Sequence, residues 1–262
     1  MTEWIDSHCQ VDEEAFDEDR EDALARMRGY GITRYAVIGS DMETSRRAIR
    51  FAREHEGAIA VGGIHPHESK GFREEDLTEI ADWYRKGKIR AIGEIGLDFY
   101  YDHSPRDVQR EVCLRQMELA WELDAPVAYH IQDAHAEMLE IIKSMKAKLT
   151  GGIIHCISGS AEIAKEYLKL GYYISFAGPL TFKKAPKLQE ACRIIPRDRL
   201  LIETDSPYMA PEPMRGRRNE PAYVRFVGMK MAELRGESPE EVAAYTTENA
   251  MKVYRLSMNH ES

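Results

Sequence analysis

Six side chains able to bind a cation recur along the chain: His8, His65, Glu94, His130, His155 and Asp205. Each ends a short apolar run, as in Trp4-Ile5-Asp6-Ser7-His8, Gly152-Ile153-Ile154-His155 and Leu200-Leu201-Ile202-Glu203-Thr204-Asp205. Imidazole and carboxylate together suit divalent ions: zinc or manganese where nitrogen dominates, magnesium where oxygen does. Gln10 lies two residues past His8, so on an extended strand both side chains face the same way. Glu94 has two oxygens and is able to bridge two ions. Strand adjacency then suggests two subsites, His8, Gln10, Glu94 and Asp205 around one ion, and Glu94, His130 and His155 around the other. Two ions sharing a carboxylate suit hydrolysis. Asp205 is the candidate to take a proton from the attacking water and hand it to the leaving group.

Such a set needs a scaffold that delivers one residue per strand to a common end. Eight runs read as strands: the six above and Tyr35-Ala36-Val37-Ile38 and Tyr172-Tyr173-Ile174-Ser175-Phe176. Helical segments fall between them, around 19–29, 43–54, 74–85, 105–123, 134–146, 161–170 and 184–194. Ser104 before Pro105 reads as a helix cap, and Gly29 and Gly171 as helix stops. The alternation predicts an α/β fold, a (β/α)8 TIM barrel with ligands at the C-terminal strand ends. Two extra C-terminal helices, 221–235 and 239–256, are expected to close the last gap and pack over the outside. A doubly wound sheet would instead gather its ligands at one crevice.

The 262 residues fit one such barrel, and no linker or composition shift divides them, so one domain over 1–262 is expected. A net charge of −9 argues against a protein that coats nucleic acid. Cys9, Cys113, Cys156 and Cys192 show no paired spacing, and no run is long enough to span a bilayer. A reduced, cytoplasmic setting without membrane partners is the simplest reading. A barrel of this size can stand alone as a monomer, and the oligomeric state is left open.

Six segments, in order, carry a further resemblance: Asp6-Ser7-His8, Gly93-Glu94-Ile95-Gly96-Leu97-Asp98, Pro126-Val127 through His130, His155-Cys156-Ile157-Ser158-Gly159, Glu203-Thr204-Asp205-Ser206-Pro207-Tyr208 and Arg217-Arg218-Asn219-Glu220-Pro221. They resemble the TatD family of metal-dependent deoxyribonucleases, within the amidohydrolase superfamily. The resemblance runs from Asp6 to about Leu256. It implies a barrel, one or two divalent ions and hydrolysis of phosphodiester bonds in DNA. It also implies metal roles for His8, Glu94, His130, His155 and Asp205.

Two positions depart from the family pattern. Gln10 stands where the family usually has a second histidine, and an amide oxygen is the weaker ligand for zinc-like ions. Gln132 stands where an arginine is common, removing a charge-assisted phosphate contact. The expected substrate is DNA, at ends or as short single strands, because an acidic surface can grip few phosphates. Hydrolysis of another ester, lactone or amide is the alternative, and a metal-binding scaffold with weakened catalysis is a third reading.

Other residues have two readings each. His65 and His67 either position a phosphate or end a strand. Arg218 either binds phosphate or belongs to a solvated charge run with Lys183, Lys184 and Arg217. Glu203, on the face of Asp205 but deeper, orients His8 or a water, or is a satisfied buried carboxylate. Cys9 and Cys156 are expected to turn away from the ions. His55, His103, His135 and His260 are expected in solvent, as is the acidic stretch from Asp12 to Asp22.

Overall fold

The computed structural model describes residues 1–257. Eight parallel strands run in order: β1 Trp4–Cys9, β2 Ile32–Ile38, β3 Ala58–Val61, β4 Ile92–Asp98, β5 Val127–Gln132, β6 Gly152–Ile154, β7 Tyr173–Phe176 and β8 Leu200–Ile202. Continuous ladders join β1 to β3 and β4 to β8. A parallel bridge from Gly62 to Ile92 joins β3 to β4. Asp205 N donating to His8 O (2.9 Å) and Gln10 N to Ser206 O (2.8 Å) join β8 to β1. The sheet therefore closes into the expected (β/α)8 barrel.

Helices α1 Arg20–Gly29, α2 Met42–Glu54, α3 Glu74–Arg85, α4 Arg106–Leu123, α5 His135–Ser144, α6 Ala161–Lys169 and α7 Pro186–Ile194 fill the crossovers. α8 Val224–Arg235 and α9 Pro239–Val253 follow β8. Their bounds track the sequence pattern because apolar spacing and caps agree. In α2, Asp41 accepts from Thr44 N at 2.7 Å. In α9, Ser238 and Glu241 form a capping box.

Two punctuation marks fall elsewhere. Ser104 does not cap α4; its hydroxyl donates to His67 O and accepts from Lys70 N, tying two loops together. The chain turns left-handed at Gly31 (φ 83°), with Gly29 still helical, and the site needs glycine because a Cβ there would lie 2.2 Å from Thr2 O.

Two apolar layers result from strand alternation. Ile5, Ala36, Ile38, Val61, Ala91, Ala128, Ile153 and Leu201 point inward. Their strand neighbours, such as Val37, Ile92, Tyr129, Ile154 and Ile202, join the larger layer between barrel and helices. The last turns of α9, through Ala250, Met251, Val253 and Tyr254, pack with the inward set. That segment therefore does more than cover the outside, as the sequence pattern had implied. No helix among the described residues is long and apolar enough to cross a membrane.

Candidate metal centre

Two residues beyond an inward apolar residue, the same parity delivers a polar one. Ala128 leads to His130, Ile153 to His155, and Leu201 to Glu203 and then Asp205. β5, β6 and β8 thus each carry an apolar foot and a polar head, and the heads converge; on β1, His8 follows Ile5 by three residues, across a register shift between Asp6 and Cys9. Glu94 reaches this layer differently. It lies inside β4, not at the strand end expected from sequence, where the pairing with β5 shifts register between Gly93 and Ile95. An extra residue at such a bulge re-aims its side chain. His65 also lies past its strand, since β3 stops at Val61.

Glu94 is the hub. One oxygen lies 3.0 Å from His155 Nε2, 3.1 Å from His130 Nδ1 and 3.6 Å from His65 Nε2. The other lies 3.5 Å from His8 Nε2. His8 Nε2 is also 3.4 Å from Asp205 Oδ1, and Gln10 Nε2 approaches that same oxygen at 3.4 Å. Three sets have ligand atoms all within 4.8 Å of one another: Glu94, His130 and His155; His8, His155, Glu203 and Asp205; and His65, His67 and His130. The first matches the expected second subsite. The second set pairs His8 with Asp205 as expected and adds His155 and Glu203.

Electrostatics explains how so many ionisable groups coexist. Burial alone would neutralise Glu94, yet His155, His65 and His8 hold it well below the ordinary carboxylate range. Burial and His155 disfavour charge on His8, but Glu94, Glu203 and Asp205 outweigh them and raise its pKa to about 9. His155 is raised too, against burial, by Glu203 and Glu94. His65, without a carboxylate as close, is pushed well down by burial. The raised His8 and His155 mark a demand for positive charge beside these carboxylates, which divalent ions would also meet.

Two buried atoms fit ions more directly. His8 Nε2 and Gln10 Oε1 have no hydrogen-bond partner, and both belong to the residues expected at the first subsite. An orphaned nitrogen beside two carboxylates, and an orphaned amide oxygen one residue past the strand, are both donors suited to a cation.

Support comes from residues deeper in the barrel. Glu203 Oε2 lies 2.7 Å from His155 Nδ1 and 3.7 Å from His8 Nδ1, so it orients His155 more closely than His8. It also accepts the Cys156 backbone N–H. Asp6 accepts from His8 N and Thr204 N, pinning β1 to the end of β8. Asp98 Oδ2 lies 2.8 Å from both His130 Nε2 and His67 Nε2. No sequence feature singled out Asp98, although it ends the Gly93-Glu94-Ile95-Gly96-Leu97-Asp98 segment. The available clue was its position four residues after Glu94 at the end of the same strand.

Several expectations change. Arg218 does not face the mouth free-handed: it forms a double hydrogen bond with Asp19 (2.6 and 2.8 Å) and lies over the Phe16 ring. Asp12 is buried and paired with Arg47, so the acidic stretch is only partly solvated. His135 bonds Tyr167 and Ser158, and His55 stacks on Phe51, so neither is simply in solvent. His103 is exposed; His260 lies outside the described residues. Cys9 is turned into the outer layer, its Sγ 3.3 Å from Ala36 O, whereas Cys156 is only half-buried. Lys183, Lys184 and Arg217 are exposed, and Gln132 is half-buried at the end of β5.

The sequence matches the TatD related DNase family over residues 5–255. It is 42% identical over 253 residues to YabD of Bacillus subtilis, named an uncharacterized metal-dependent hydrolase, covering 97% of this chain and 99% of that one. It is 33% identical to the 3'-5' ssDNA/RNA exonuclease TatD of Cronobacter sakazakii, over 95% of this chain and 97% of that one. The crystal structure of YjjV, a TatD homologue from Escherichia coli, superposes with a TM-score of 0.90 at 28% identity, covering 97% of this chain and 98% of that one. Motifs, barrel and full-length similarity agree, and the chain belongs to the TatD related DNase family.

Proposed function

We propose that this chain, a metal-dependent hydrolase of the TatD family, is a deoxyribonuclease that cleaves phosphodiester bonds at DNA ends or in short single strands. The observation that carries the reading is Glu94, a buried carboxylate within 3.0–3.6 Å of four imidazole nitrogens from four different segments. Relatives named single-strand exonucleases support the substrate class.

His8, Gln10, Glu94 and Asp205 would hold one divalent ion, and Glu94, His130 and His155 the other. Bound there, such ions lower the pKa of water and neutralise charge on phosphoryl oxygens. The chain's own groups do the rest. Asp205 has a partly accessible side chain, with one oxygen anchored toward His8 and Gln10. It accepts the proton of the attacking water and returns it to the departing alkoxide. Glu203 fixes the tautomer of His155 and keeps its Nε2 toward Glu94. His65 Nδ1 accepts from His67 N, so its Nε2–H, 3.6 Å from Glu94, is the group that would donate to a substrate phosphate oxygen.

The test pairs metal content by mass spectrometry with magnesium- or manganese-dependent cleavage of an end-labelled single-stranded oligonucleotide. About two ions per chain and stepwise shortening from one end are expected, both lost in Glu94→Gln. Intact oligonucleotide after metal is restored would sink the nuclease reading. Equal activity on long circular duplex would sink the preference for ends and single strands.

A further inference from the structure

The centre explains how phosphate is handled, but nothing in it reads a base, and the rim of the barrel mouth carries aromatic surface left unused. Tyr100 and Tyr101, directly after β4, are 62% and 57% exposed, and Tyr208, six residues after β8, is 52% exposed. Large aromatic rings left in water at a catalytic mouth are unusual enough to ask what covers them. Among the described residues, the other exposed tyrosine and tryptophan side chains, Tyr30 and Trp121, lie at the end of α1 and in α4, away from the strand ends that carry the centre.

The rings after β4 are organised. Tyr101 stacks on His103 with centroids 5.4 Å apart and planes 11° apart. Tyr100 meets Tyr101 edge-on at 4.7 Å, and His67 meets Tyr101 edge-on at 5.6 Å. The backbone N–H groups of Tyr100 and Tyr101 both donate to Asp98 Oδ1, at 3.1 and 2.9 Å. The other oxygen of Asp98 holds His130. One buried carboxylate therefore fixes a member of the metal centre and the root of the aromatic cluster together. In a closed ring of eight strands, β8 stands four places from β4, so Tyr208 rises from the opposite side of the mouth. Its hydroxyl is tied to Glu13 at 3.0 Å.

Resting on the nuclease reading above, we propose that Tyr100, Tyr101 and His103, with Tyr208 on the facing lip, form the surface on which unpaired nucleobases stack when a single strand enters. The charge of the chain favours this over a grip on phosphates. At a net −9, with Arg218 committed to Asp19, the cations left beside it are the exposed Lys183, Lys184 and Arg217, and affinity for a polyanion gains from a source besides charge. Stacking supplies one, and it accepts any base because every base has a π-face. A duplex hides those faces, so the same surface selects single strands.

The test is a substrate–protein double-mutant cycle on the metal-loaded enzyme. Oligothymidylate is compared with its 5,6-dihydrothymidine counterpart, which keeps the sugar, phosphate and hydrogen-bonding edge and loses the flat aromatic ring. Wild type is expected to prefer the thymidine strand about tenfold in kcat/KM, the loss of one base–aromatic stack. In Tyr101→Ala, and in Tyr100→Ala, that preference shrinks toward one, chiefly through KM. Tyr101→Phe keeps it, and Trp121→Ala on the outer helix layer leaves it untouched. Equal cleavage of both strands by wild type, or a preference surviving in both alanine variants, overturns the stacking surface and leaves the nuclease reading standing. Hydrolysis of bis(4-nitrophenyl) phosphate with neither oligonucleotide cut overturns both.

Discussion

Asp98 is asked to accept four hydrogen bonds at once, two imidazole N–H groups on one oxygen and two backbone N–H groups on the other. An asparagine has one acceptor oxygen, so either way its amide turns, a donor pair loses its partner. Asp98→Asn is expected to weaken metal binding at Glu94, His130 and His155 by about 10- to 100-fold, as loss of support to a ligand does. Competition against a calibrated chelator reads this, and unchanged affinity would mean that His130 needs no such anchor. The same carboxyl carries a pH signature. Burial works against its charge, but bonds from His130 and His67 hold its pKa well below the ordinary 3.8. Its stabilising contribution is therefore complete above about pH 4 and is lost as pH falls through the folded value. Acid unfolding of Asp98→Asn should accordingly show a shallower fall below about pH 4 than wild type. Gln10 offers the complementary test, since its Oε1 is buried without a partner. Gln10→His is expected to raise zinc affinity about tenfold or more, imidazole being the better ligand for that ion. Calorimetric titration showing no gain would place Gln10 outside the ligand set.

At the scale of elements, one helix shows how near the outer layer comes to the barrel, α8 against β1. Gly228 of α8 faces the Trp4 ring, and a Cβ there would lie 2.3 Å from the ring edge. Gly228→Ala should raise intrinsic helix propensity and still destabilise, by about 1–3 kcal/mol from overpacking. Urea unfolding checks it, and a stabilised variant would show that Trp4 moves aside freely. That contact was invisible in sequence, because nothing in the α8 pattern announces which ring lies beneath it. What was legible follows a rule of the same kind everywhere. His130, His155 and Asp205 could be read because strand parity carries an apolar foot to a polar head. Glu94 was legible by type and not by position, since a register shift breaks the parity that alternation assumes. Arg218 was expected as a phosphate ligand or part of a solvated run, but its partner Asp19 lies 199 positions away in the chain. Local pattern fixes which face a residue takes and says nothing of such distant partners.

For the whole molecule, the nuclease reading of an acidic chain predicts a weak dependence on salt. Proteins that bind nucleic acid through many phosphates lose about 10³–10⁵ in affinity between 50 and 200 mM salt, because each neutralised phosphate releases a counterion. Here the net charge is −9, and Arg218 is already paired with Asp19, which leaves the exposed Lys183, Lys184 and Arg217. On the nuclease reading, with one phosphate held by the ions and roughly one more engaged beside them, the slope of log affinity against log salt for a single strand is about −1.4. A fourfold rise in salt then costs less than about tenfold. KM for a short oligonucleotide, measured across a potassium chloride series at fixed free metal, should rise gently along that line. A slope several times steeper would reveal a basic track that the net charge hides and would make phosphate, not the exposed rings of the mouth, the main source of grip. A shallow slope together with strong discrimination against duplex would leave the barrel as a scaffold in which ions hold one phosphate and the rim holds the bases beside it.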